Sequence, residues 1–209
     1  MLNLLTQPLP STVTVGGISV SINTSYRTWI ELWMVIDTPK AESWKKGAVL
    51  LIKAYPNEPQ EDGITPYQWA MNHTEEAVEA ALDFLLRKQS DEPQKPLTRE
   101  QKRLSKLRLF DWNYDANRVI SDFEREYSID LTDPNLDMHW WRFMTLFNGL
   151  SDSSQTMEAI STRAVDLDDK RLNKQMKASY RERQKALMLP ARTREEAAHN
   201  RRIRGFDGG

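Results

Sequence analysis

The residues best suited to chemistry in this sequence are carboxylates. Asp111, Asp115, Asp130, Asp133 and Asp137 all precede His139 in one stretch. Carboxylates beside an imidazole can hold a metal or move a proton. The spacing argues against both. A calcium loop alternates Asp, Asn and Gly at fixed positions, and no such run occurs here. Asp115 and Asp133 stand instead where helices should begin, and a carboxylate there accepts a free backbone N–H. His139 reads as a structural residue beside Trp140. His73 and His199 are too distant in sequence to complete a zinc site. Cys is absent, which removes thiolate ligands, a Cys nucleophile and disulfides. Gly16-Gly17 reads as a turn, because a phosphate loop needs a Gly-rich turn entering a helix with a Lys in place. No Gly-x-Ser-x-Gly elbow is present. Trp29, Trp33 and Trp44 could stack a sugar or a base, but their helical spacing suits a core. The sequence therefore predicts no catalytic residue, no cofactor and no metal site, and a protein that is not an enzyme.

Charge points elsewhere. From Lys170 to Gly209 there are twelve Lys and Arg against four Asp and Glu. That segment carries +8, so the other 169 residues carry −9. An acidic body with a basic end suggests an interaction arm. The candidate partner-binding residues are Lys177, Tyr180, Arg181, Leu187, Arg192, Arg194, Arg201, Arg202 and Arg204. Three readings stay open: a solvated helix with a frayed end, a protein-docking arm, or a phosphate-binding surface. Single-strand binders interleave aromatics for stacking. Only Tyr180 and Phe206 qualify, so nucleic acid is the weakest of the three.

The elements that would position these residues centre on Asp111 to Leu150. The first predicted helix runs from about Asp115 to Tyr127, with Ala116, Val119, Ile120, Phe123 and Tyr127 on one stripe. The second is predicted from Asp133-Pro134 to Asn148-Gly149, a capping Asp with Pro at the first position and a left-handed stop. Leu136, Trp140, Phe143, Phe147 and Leu150 form its stripe, which Trp141 and Met144 widen. So broad an apolar arc predicts the central helix of a helical core.

Around that pair, Val13 to Ile22 reads as a β-hairpin turning at Gly16-Gly17, pairing 15 with 18 and 13 with 20. Helices follow over about 25–37, with Tyr26, Trp29, Ile30, Trp33 and Ile36 inward, and over 41–55, with Trp44, Ala48, Leu51, Ile52 and Tyr55 inward. Thr65-Pro66-Tyr67-Gln68 is a helix start. The helix after Thr74 faces the core with Ala77, Ala81, Leu82, Leu85 and Leu86. Residues 89–97 hold two Pro and mixed charge, the best linker candidate. Thr98 and Gln101 suit a capping box. Further helices are predicted near 154–165 and 169–189, the last with a thin stripe of Leu172, Met176, Tyr180 and Leu187. The expectation is a mainly α fold, a helical bundle with a small N-terminal β-hairpin. Residues 1–189 form a single helical domain, with a loop or sub-domain break at 89–97, and 190–209 a flexible basic tail. No apolar run approaches the ~18–20 residues that span a membrane, and no signal peptide is visible.

The central stretch also carries a resemblance. Asp111-Trp112-Asn113-Tyr114-Asp115 is followed by Tyr127-Ser128-Ile129-Asp130-Leu131. His139-Trp140-Trp141-Arg142-Phe143 comes next, and Gly149-Leu150 closes the run. This order resembles the gene-product-fifteen family of tailed-phage proteins. The motif positions are Asp115, Phe123, Tyr127, Asp130, His139, Trp140, Trp141 and Phe143, and the match continues loosely through Ile160, Arg163, Asp166 and Leu167. The resemblance implies a tail assembly chaperone that binds the tape-measure protein, and other tail proteins or a second copy of itself, in the host cytoplasm during phage assembly. The alternatives are a structural place in the virion tail, or a nucleic-acid-binding accessory role for the basic end.

Overall fold

A computed structural model of the chain describes residues 5–58, 63–88 and 96–205. The readings of residues 1–4, Pro59, the linker at 89–97 (save 96 and 97) and Phe206 lie outside the described residues. In chain order the elements are β1 (Thr12–Val15), β2 (Ile18–Ser21), α1 (Tyr26–Ile36), α2 (Ser43–Ala54), α3 (Pro66–Asn72), α4 (Thr74–Leu85), α5 (Arg99–Leu104), α6 (Ala116–Tyr127), α7 (Trp140–Asn148), α8 (Gln155–Ala164), α9 (Lys174–Ala186) and α10 (Arg194–Arg204). The fold is mainly α with a two-stranded antiparallel hairpin, as the periodicities predict. Packing groups the chain into two compact units. The first takes Met1–Gln94 and Asn135–Leu146, the second Lys95–Pro134 and Phe147–Gly209.

In the first unit the hairpin pairs Val13 with Val20 and Val15 with Ile18, the expected register. Gly16 and Gly17 have φ of +58° and +77°. Positive φ at both centres is a type I′ turn, whose twist matches that of the strands. Val15, Val20 and Ile22 are buried, while Ile18 at the turn end stays exposed. The turn docks on the α3–α4 junction. Trp69 Nε1 donates to the Val15 carbonyl at 2.9 Å, and Gly16 N–H donates to Glu76 at 2.9 Å. A Cβ on Gly16 would lie 2.6 Å from the His73 ring, so only glycine fits.

α3 starts with the capping box read from Thr65 and Gln68. α1 packs on α2, and α2 on α4. The face of α2 differs from the expected one. Leu50, Leu51 and Ala54 are buried, but Trp44, Ala48 and Ile52 are exposed. The helix is apolar over a wide arc, and periodicity alone did not say which edge turns inward. In α4, Phe84 takes the inward position expected of Leu86, which is exposed.

The expected start of α7 at Asp133-Pro134 is also corrected. Residues 133–138 are turn and coil, and the helix begins at Trp140. A short bridge between Ser25 and His139 claims this backbone first. Tyr26 N–H donates to the Met138 carbonyl, and Trp140 N–H to that of Thr24. α7 was expected to be the centre of a single helical core. Its residues to Leu146 belong instead to the first unit, while α6 belongs to the second.

The second unit packs α6 on α8, α8 on α9 and α9 on α10. Phe110 lies edge-on to Trp112 at 4.7 Å and to Phe147 at 5.3 Å. α5 begins with the expected Thr98–Gln101 capping box. Where composition predicts a flexible tail, residues 194–204 form α10. Thr193 caps it, Ile203 is buried, and Asn200 donates to the Leu189 carbonyl at 2.9 Å. The ordering comes from residues far upstream, which composition does not register.

Candidate functional site

Two constellations organise the residues singled out from the sequence. The first is built on His139, Trp140, Trp141 and Phe143 in the first unit. His139 Nδ1 accepts the Trp141 N–H at 3.0 Å, so the imidazole caps α7. Its Nε2 is therefore the protonated nitrogen, and it donates to the Pro10 carbonyl at 2.9 Å. Burial pushes the His139 pKa down, against the raising effects of the Pro10 carbonyl and Asp137. Trp140 Nε1 donates to the Leu85 carbonyl and Trp141 Nε1 to that of Phe84, each at 3.0 Å. These are the last carbonyls of α4; that of Phe84 also accepts the Arg87 N–H at 3.2 Å, in the turn that ends the helix. Phe143 stacks on Tyr26 at 5.1 Å. The motif is thus a keystone that ties α7 to α4, α1 and the hairpin lead-in. It offers no free base.

The second constellation lies in the second unit. Asp115 is only 1% exposed and sits at the start of α6, yet its side chain does not cap that helix. It accepts two parallel hydrogen bonds from Arg163 of α8, at 2.7 and 2.8 Å. It also accepts from Arg118 and from the Asp111 N–H. Arg163 donates two further hydrogen bonds, to the carbonyls of Leu109 and Leu187. Asp111 pairs with Arg108, which forks onto Glu196 of α10 and reaches the Pro190 carbonyl. Arg192 N–H donates to Glu196 at 2.6 Å. Burial raises the Asp111 and Glu196 carboxyls. Stronger lowering comes from the Tyr114 and Asn113 N–H groups with Arg108 at Asp111, and from Arg108 and the Arg192 N–H at Glu196. Both finish below the ordinary carboxylate range. This cluster fastens the end of α9 and α10 to the rest of the unit.

Beside it lies a cleft of about 380 Å³. Leu107, Leu109, Met188, Leu189 and Ile203 supply apolar lining, with His199, Asn200, Glu195 and Lys106 among the polar groups. Burial, with Arg202 and Arg103 nearby, pushes the His199 pKa down, so a neutral imidazole faces the cleft.

Of the partner-binding candidates, Arg194, Arg201, Arg202 and Arg204 are exposed on α10. Lys177 and Arg181 line a shallow depression on α9 with Leu172, Lys174 and Ala178, and Tyr180 is half-buried. Leu187 and Arg192 are drawn into the charge cluster. Phe123 is buried and meets Tyr127 edge-on, while Asp130 is exposed and accepts from Thr132. Asp137 and His139 belong to the first unit, the other four Asp to the second. Among the described residues no group of His, Asp and Glu could hold a metal ion. Trp29 is buried, with its indole N–H on the Asn23 carbonyl, and Trp33 is half-buried against Trp140. Both fit the core reading that Trp44 does not.

Sequence reasoning missed Arg108, Glu196 and Asp122. Asp122 is fully buried and accepts the Gln155 and Thr156 N–H groups, capping α8 from the side. A carboxylate three residues from Val119 and next to Phe123 was a visible signal, since a charge on an apolar stripe needs a partner. No local signal joins Arg108 to Glu196.

The family model that matches the chain describes the bacteriophage Gp15 protein and spans residues 5–189. The chain belongs to that family. Its bacteriophage origin follows, and the Gp15 match includes both constellations up to Leu189 and leaves α10 outside. No curated protein and no solved structure matches the chain.

Proposed function

We propose that this phage protein is a tail assembly chaperone that binds the tape-measure protein before the tail polymerises, and that it acts by binding rather than by chemistry. The supporting observation is the cleft of about 380 Å³ bordered by α9 and α10. It combines an apolar lining with a helix whose exposed side chains include Arg194, Arg201, Arg202 and Arg204. An unassembled partner helix with an apolar stripe could seat one or two side chains there, as helix-in-groove docking does. Acidic residues beside that stripe would meet the arginines, which favours encounter and register more than affinity. Membership of the bacteriophage Gp15 family supports the setting, host cytoplasm during assembly. Among the described residues no helix is long and apolar enough to cross a membrane.

Co-expression with the tape-measure protein of the same genome tests this. Soluble partner that co-purifies is the expected result, and Met188→Glu in the cleft should abolish it while leaving the circular dichroism melt intact. If the partner stays insoluble and the protein is found in purified virions, a structural tail component replaces the chaperone reading. DNA binding that weakens steeply with salt and vanishes on deleting 170–209 would favour the nucleic-acid reading instead.

A further inference from the structure

α10 forms one wall of the cleft and already has the form of a docked helix. Glu196, His199, Asn200 and Ile203 line the cleft, at positions i, i+3, i+4 and i+7. That is the spacing by which an amphipathic helix anchors in a groove. The rest of the lining includes Leu107, Leu109, Met188 and Leu189. Three of the four anchors do not match those side chains. Glu196, His199 and Asn200 are polar and half-buried, and only Ile203 is buried. We propose that α10 is an occupant held in cis, a strap that closes the groove in the free protein and is displaced by a partner helix with apolar residues at the same four positions.

The fastenings of α10 suit release. Arg108 donates to both carboxylate oxygens of Glu196, at 3.1 and 3.2 Å, and Asn200 to the Leu189 carbonyl at 2.9 Å. Water replaces such bonds when they break at a half-exposed site. α6, by comparison, buries both Val119 and Phe123. A helix with one buried apolar residue opens at lower cost than the core around it. The matched family region ends at residue 189, so the apolar floor lies within it and the strap beyond it.

Lifting α10 turns a cleft for one or two side chains into a groove for a helix. The strap stays tied to α9 through 187–193, so its exposed arginines remain beside the groove to meet acidic flanks on the incoming helix. The tie also sets a threshold. A tethered strap competes at an effective concentration of roughly millimolar order, so only a helix with better anchors than those of α10 displaces it. The proposal rests on the chaperone reading for the identity of the partner, the apolar helix of an unassembled protein.

Hydrogen exchange of the full chain, with and without a labelled peptide, tests the strap. The probe is residues 191–205 carrying Glu196→Leu, His199→Leu and Asn200→Leu. It should bind saturably and raise exchange over 194–204 of the chain while leaving α6 and α8 unchanged. The same peptide in its native sequence should bind about tenfold more weakly or worse, because its polar anchors lose their water in the groove. Met188→Glu in the chain should abolish binding. Ile203→Ala and Glu196→Gln in the chain loosen the strap, so each should tighten peptide binding by about threefold or more. Absence of binding overturns the proposal, as does binding that leaves exchange over 194–204 unchanged or that both loosening variants weaken. Tape-measure capture without raised exchange over 194–204 would remove the strap and leave the chaperone reading standing. Displacement by the peptide without tape-measure capture would support the strap and remove the chaperone reading.

Discussion

At the scale of single residues, the Asp115–Arg163 pair shows how a charge can be buried without strain on the ledger of hydrogen bonds. Each oxygen of Asp115 accepts from Arg163 and from one further donor. Removing one partner is more damaging than removing both, because the survivor keeps its desolvation cost. Asp115→Ala should therefore destabilise by about 3–5 kcal/mol, read from the urea midpoint. Arg118→Ala, at the partly exposed rim of the same carboxylate, should cost under ~1 kcal/mol. Equal losses from the two would refute the assignment of Arg163 as the principal partner. His139 makes a pH prediction. Burial holds its pKa below the ordinary value of about 6.5. As pH falls past that value the unfolded chain takes a proton that the folded one resists, so the contribution is complete above it and shrinks below. The melting temperature should fall between about pH 7 and pH 5.5 for this reason. His139→Asn keeps a capping oxygen but cannot titrate, so its decline should be shallower. A slope that does not change would show that His139 is not the group responsible. His199 is shifted in the same direction and should leave a residual slope.

At the scale of elements, the hairpin turn invites a direct test. Gly16→Ala forces a left-handed conformation worth ~1–2 kcal/mol on an L-residue and drives a methyl into the His73 ring. It should lower stability by more than that conformational term, while Gly17→Ala, which meets open space, should cost only the conformational part. What could be read from the sequence follows the range of the interactions involved. The hairpin register and the boxes at Thr65–Gln68 and Thr98–Gln101 are decided by residues within a few positions, and they form as read. The inward edge of α2 and the first residue of α7 are decided by packing against distant elements, and there the local pattern misled. α10 shows the same lesson in the candidate site. The sequence reading makes 190–209 a flexible tail, and the helix there is held by contacts such as that of Glu196 with Arg108, 88 residues away. Thr193→Ala should cost about 1 kcal/mol and raise hydrogen exchange through 194–204 ahead of the rest of the unit. Exchange that rises equally in α6 and α8 would mean that α10 does not open on its own.

At the scale of the molecule, the first unit is discontinuous. Residues 1–94 alone lack Asn135–Leu146 and with them Trp140, Trp141 and Phe143. Expressed alone, that fragment should be insoluble or lack near-ultraviolet dichroism. Co-expressed with 95–209 it should be recovered in a folded complex. A folded, soluble 1–94 would show that the aromatic keystone is dispensable. The same discontinuity sets a timetable at the ribosome. The 40 residues of 95–134 must be made before the segment that completes the first unit emerges. At roughly 5–20 residues per second this is a delay of about 2–8 s. Through that interval the last carbonyls of α4 and the ring faces of Tyr26 and Phe84 wait for their partners. The nascent chain is then at its most adhesive, and synonymous codons that slow translation across 95–134 should lower the soluble yield without altering a single amino acid.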